Sequence, residues 1–153
     1  MSGLVKTLLS AVALTALAAT PSLAGSIEVS DAVGHVTTDA EHGDSLEIFM
    51  NINNTGAEMD RIFAVRSKIA GEGRIAGGGT KLDDHGDHAD HLLATSVDLP
   101  AGTMTKLFEE GSHLELADLK KTPQVGDEVE ITLFFEQAGR IKVTVMVSEE
   151  DHH

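Results

Sequence analysis

Glu130-Ile131-Thr132-Leu133-Phe134-Phe135-Glu136, Gln137-Ala138-Gly139 and Arg140-Ile141-Lys142-Val143-Thr144-Val145-Met146-Val147 follow one another near the end of the chain. Two runs rich in β-branched and aromatic residues, each alternating from face to face, flank a short segment that ends in glycine. This predicts an antiparallel hairpin in which Gly139 supplies a positive φ. The same period of two recurs upstream: Leu46, Ile48 and Met50 alternate with Glu47, Phe49 and Asn51, and the run ends at the turn Asn54-Thr55-Gly56. Arg61 to Val65 reads as a short apolar strand, and Thr95 to Leu99 as another that stops at Pro100-Ala101-Gly102. His113 to Leu116 alternates too, with Glu115 on the face of His113, and Val125-Gly126-Asp127 is a further turn. Met50, Met104 and Met146 fall in strand-like runs and are expected in the core. Gly71 to Gly79 holds five glycines and reads as a plain flexible connection; no Gly-Lys-Ser/Thr follows, so it cradles no phosphate. With no amphipathic helix of ten or more residues, the expectation is an all-β sandwich or barrel.

Composition narrows the chemistry. The 153 residues carry 25 acidic and 11 basic side chains, a formal charge of −14, with eight His, five Met and no Cys. The absence of Cys removes disulfides, thiolate nucleophiles and Cys-based zinc or iron–sulfur sites. Acidity argues against nucleic acid, whose binders need Lys and Arg to displace counterions, and against an anionic membrane surface. A cationic partner remains: a basic protein face or a metal ion.

Residues 1–24 read as a secretory signal peptide. Lys6 precedes an apolar run from Leu8 to Ala19, and Ser22-Leu23-Ala24 places small residues at a cleavage site. The apolar stretch is short for a transmembrane helix, so the mature chain is expected to be periplasmic with no membrane insertion. No Cys follows the cleavage site to take a lipid. Without Lys6 the charge of −14 becomes −15. The expected organisation is a signal peptide at 1–24, one domain at 25–148, and an acidic, His-bearing tail at 149–153.

Asp84-His85-Gly86-Asp87-His88-Ala89-Asp90-His91 is the most informative segment. His85, His88 and His91 recur every three residues, each preceded by Asp. Neutral imidazole is the commonest protein ligand for zinc, copper and nickel. The carboxylates can ligate, or accept the second ring N–H and fix the tautomer. Imidazole and carboxylate without thiolate favour Cu(II) or Zn(II) over soft Cu(I). His35 and His42 have nothing diagnostic around them, and His152 and His153 form a terminal pair beside acidic residues.

Taken in order, these pieces resemble the periplasmic copper chaperone family written PCu(A)C. The series comprises Asp31-Ala32-Val33, the strand ending at Asn54-Thr55-Gly56, Asp60-Arg61-Ile62 and Leu99-Pro100-Ala101-Gly102. Gly111-Ser112-His113-Leu114, Leu119-Lys120-Lys121, Val125-Gly126-Asp127 and the final hairpin complete it. The resemblance covers nearly all of the mature chain and implies a cupredoxin-like Greek-key β-barrel. It further implies copper held by His and Met and delivered toward cytochrome oxidase assembly, with a membrane oxidase subunit or assembly factor as receiver. The family's ligand pattern is His or Met, ten residues, Met, twenty-one residues, then His-x-Met. His113 matches its His, Glu115 replaces the final Met, and counting back places His91 where the family has Met. The first ligand has no counterpart: strict counting gives Thr80, and aligning the preceding strand gives Ala76. The resemblance therefore implies a diverged metal site of His85, His88, His91 and His113, with Glu115 as an oxygen ligand. It would take a copper ion, Cu(II) or Cu(I), with zinc as the other candidate.

Three functions compete: a copper chaperone, a periplasmic Zn(II)/Cu(II) buffer, and a β-sandwich interaction module without metal. Enzymatic activity is not expected. No His-x-His pair on a strand and no nucleophile or paired-carboxylate set in a defined context is present.

Overall fold

The computed structural model describes residues 26–77 and 96–149; the leader, the His/Asp segment and the terminal His pair lie outside the described residues. Nine strands and no helix make up the described chain: β1 (Ile27–Asp39), β2 (Gly43–Asn54), β3 (Asp60–Arg66), β4 (Ala70–Ala76), β5 (Val97–Leu99), β6 (Thr103–Leu107), β7 (His113–Leu119), β8 (Glu128–Phe135) and β9 (Gly139–Val147). Their order is β4-β7-β2-β1-β9-β8-β3-β5, with β6 pairing the far part of β2. All pairings are antiparallel except β1 with β9 at Val33↔Met146 and Gly34↔Val147.

Alternation sets which face is inside. Leu46, Ile48, Met50 and Ile52 of β2 are buried, as are Val129, Ile131, Leu133 and Phe135 of β8. Leu114 and Leu116 of β7 and Val145 and Val147 of β9 close the same core. Each such side chain contributes about 1.5–3 kcal/mol on burial. A one-residue slip would turn the whole set outward, so the register is strongly specified. The same arithmetic corrects two methionines. Met146 lies between the inward Val145 and Val147 and is 43% exposed; Met104 pairs with the outward Asn53 and is 59% exposed. Of the three expected in the core, only Met50 is there.

The final hairpin forms as expected, with Gly139 at φ 77°, and its register sets Phe135 opposite Gly139. Its turn is pinned from β3. Asp60, only 4% exposed, accepts hydrogen bonds from the backbone N–H groups of Arg61 (2.7 Å), Gln137 (2.8 Å) and Ala138 (3.0 Å). Asn54 performs a similar task at its predicted turn, donating to the carbonyls of Glu58 and Leu99 and accepting from Gly56 N–H.

The glycine-rich segment is not a plain connection. Its first part is β4, paired with β7 from Ala70↔Leu119 to Ala76↔His113. Here β4 passes so close to β3 that a Cβ on Gly73 would overlap the carbonyl oxygen of Val65. Glycine serves the approach of two backbones, which curls the sheet into a nearly closed barrel. Single-sequence patterning misses such a strand because it lacks the side chains that produce alternation.

Candidate metal centre

His113 opens β7. The turn before it is held by Phe108 N–H on Ser112 O and Gly111 N–H on Phe108 O, each 3.0 Å. It returns the Gly111 carbonyl to His113, whose Nδ1 donates to it at 3.2 Å. A carbonyl only accepts, so Nδ1 carries the proton and the Nε2 lone pair remains for a metal. Phe49 bears on the ring from β2. It points outward, between Glu47 and Asn51, yet is only 8% exposed. His35 approaches it edge-on, with centroids 5.2 Å apart, and His113 lies tilted at 5.8 Å. Phe49 thus separates two imidazoles and limits the rotation of both.

Glu115 follows His113 on the same outward face. In register it faces Glu47 of β2 on one side and Arg74 of β4 on the other. Like charges directly opposite are unfavourable, and Arg74 offsets this one. Its Nη1 is 3.9 Å from Glu115, although its closer partner is Glu72 at 2.6 Å. That contact holds the Glu72 carboxyl below its usual range and raises the Arg74 guanidinium. Glu115 is therefore weakly committed.

These side chains line an open groove of about 1080 Å³, which also takes in Asp39, His42, Asp44, Glu109, Glu110 and Asp118. The backbone N–H groups of Glu41 and His42 lower Asp39, and the hydroxyls of Thr122 and Thr38 lower Asp44. His42 is tied to the same Asp39 through Nδ1 at 3.0 Å. The carboxylates along this wall outnumber its basic side chains, a setting that attracts cations.

Of the residues expected to bind metal, His113 and Glu115 stand together on β7, while His85, His88 and His91 lie outside the described residues. The last described residue before them, Gly77, touches the centre. It sits at φ 76°, and a Cβ there would overlap the Gly111 carbonyl and come 3.3 Å from His113 Nδ1. The chain passes this point only as glycine. Among the described residues no group of three or more His, Asp or Glu is arranged to hold a metal. The contacts of Phe49 with His35 and His113 escaped the sequence reading. An outward aromatic in an alternating strand was the available signal, and only the neighbouring strands give it meaning.

No curated protein matches the chain. Solved structures do. The apo PCuAC domain from PmoF1 superposes with TM-score 0.69 at 26% identity, covering 82% of this chain and 96% of that domain. The copper-bound PCuAC domain from PmoF2 gives 0.65 at 23%, covering 82% and 95%. Copper(I)-bound DR1885 from Deinococcus radiodurans gives 0.58 at 18%, covering 80% of each. The resemblance read from the sequence thus extends to the cupredoxin-like barrel of PCuAC domains. Residues 27–147 match the family model described as lipoprotein LpqE-like, and on that match the chain belongs to the LpqE-like, PCuAC-type family.

Proposed function

We propose that this protein is an exported copper-binding protein of the chaperone type, a carrier and not an enzyme. His113 Nε2 is its fixed ligand. The observation that carries this is the tether of His113 Nδ1 to Gly111 O, which leaves Nε2 free at an acidic groove that Gly77, the residue after β4, also lines. His91, with His88 and His85, supplies the remaining imidazoles, and Glu115 an oxygen. The copper-bound relatives support copper as the cargo. Exchanging thioethers for imidazole and carboxylate shifts preference toward Cu(II) or Zn(II). Delivery is toward a cytochrome oxidase subunit or assembly factor in the periplasm, as in the resembling family. Acid releases the ion, because protonated imidazole does not ligate.

Titrations of the mature chain with Cu(II), Cu(I) and Zn(II) test this. His113→Ala and His85→Ala/His88→Ala/His91→Ala should each weaken Cu(II) binding by at least ~100-fold, since each removes direct ligands and outer-shell changes alone cost ~10–100-fold. Undiminished affinity in either variant would sink the assignment.

A further inference from the structure

The four arginines divide into two pairs. Arg61 reaches Asp98 at 2.6 Å and Glu136 at 3.5 Å, and Arg74 reaches Glu72 at 2.6 Å. Arg66 and Arg140 form no such pair among the described residues. Instead both guanidinium carbons lie over one ring, 5.7 and 5.8 Å from the centroid of Phe134. Phe63, half exposed, lies 6.2 Å from the same ring. The register explains the convergence. Phe134 sits between Ala64 of β3 and Arg140 of β9, and the next row runs Arg66, Thr132, Lys142. Nearby carboxylates are already engaged: Glu130 holds Lys142 at 3.3 Å, and Glu136 serves Arg61.

In a chain with more than two carboxylates per basic side chain, this face is an exception. Cation–π contact holds the two guanidiniums at the ring without consuming their in-plane donors. Arginine and aromatic side chains held in this way are typical anchors of protein interfaces. We propose that Arg66, Phe134, Arg140 and Phe63 form a docking surface for an acidic segment of a partner protein. Carboxylates of that segment meet the two guanidiniums, one from β3 and one from β9, and an adjacent apolar side chain covers Phe63. Charge complementarity selects this occupant. A planar carboxylate matches the guanidinium fork at contact range, whereas an extended anionic bilayer is opposed by the net charge of −14. The surface lies on β3, β8 and β9, away from the groove on β2, β4 and β7, and the proposal does not depend on metal binding.

The test uses the full chain and a fluorescein-labelled octapeptide of alternating glutamate and leucine. Anisotropy should report saturable binding, and amide shifts should map to Phe63, Arg66, Phe134 and Arg140. R66Q/R140Q should weaken binding at least ~tenfold, the equivalent of losing one charge-assisted hydrogen bond. Phe63→Ser, which leaves both guanidiniums in place, should weaken it less. Shifts that map instead to the β2–β7 groove, or equal binding of the glutamine–leucine peptide, would overturn the proposal. So would concentration-dependent dimerisation through this face, or binding to phosphatidylglycerol vesicles in preference to the peptide.

Discussion

Two outward-pointing phenylalanines sit on opposite parts of the barrel wall in matching situations and different company. Phe49 on β2 separates the imidazoles of His35 and His113; Phe134 on β8 lies between the guanidiniums of Arg66 and Arg140. In the groove that His113 lines the carboxylates outnumber the cations, and Arg74 is shared between Glu72 and Glu115. Around Phe134 the carboxylates are engaged, and the guanidinium donors remain for something else. An aromatic ring on the outside of a sheet thus does one physical job twice, holding a flat polar group in a fixed plane. The charges around it decide whether that group suits a metal ion or an anion.

The largest test of this contrast is structural. Asp60→Ala leaves three backbone N–H groups of β3 and the β8–β9 turn without their acceptor. The expected loss is about 3 kcal/mol, at the upper end for orphaned buried donors. Urea unfolding measures it. Hydrogen exchange should show β3, β8 and β9 loosening ahead of β2 and β7; uniform loosening would mean that the two walls do not respond separately.

A smaller and more local effect is expected at Gly77. An alanine there meets the Gly111 carbonyl, the acceptor that fixes the His113 tautomer. Copper affinity should fall about tenfold, as for loss of an outer-shell partner. The unfolding midpoint should move less than for Asp60→Ala, and unchanged affinity would show that the tether does not set the ligand.

The smallest effect concerns the groove's charge. Thr122 and Thr38 donate to Asp44 at 2.7 and 2.8 Å and lower its carboxyl below the ordinary 3.8. A carboxyl lowered on folding adds stability that is complete above its unfolded value and vanishes as pH falls through the folded one. Thr122→Val should therefore be slightly less stable at neutral pH, and the difference should close below about pH 4. A gap of constant size in urea midpoints at both pH values would assign it to packing and not to the ionised Asp44.

Much of this was legible in the chain itself. Alternation in β2, β7, β8 and β9, and the turns at Asn54-Thr55-Gly56 and Gly139, follow from local chemistry, because burial on one face repeats every two residues. Strand β4 was not legible: its glycines serve a close approach to β3, a contact between segments. The outward placement of Met104 and Met146 depends on which side of each strand meets the core, a matter of phase and not of composition.

The candidate site divides in the same way. His113 and Glu115 were identifiable as neighbours from their spacing on one strand. That Nδ1 is tethered to Gly111, that Phe49 holds the ring, and that Gly77 leaves β4 against it are relations between β2, β4 and the turn before β7. Sequence by itself determined the all-β class, the inward faces of the strongly alternating strands β2, β7 and β8, and the residue chemistry, since these rest on local periodicity and side-chain identity. Only the tertiary structure decided which outward side chains share a surface, because hydrogen-bonded register brings together residues that are distant along the chain.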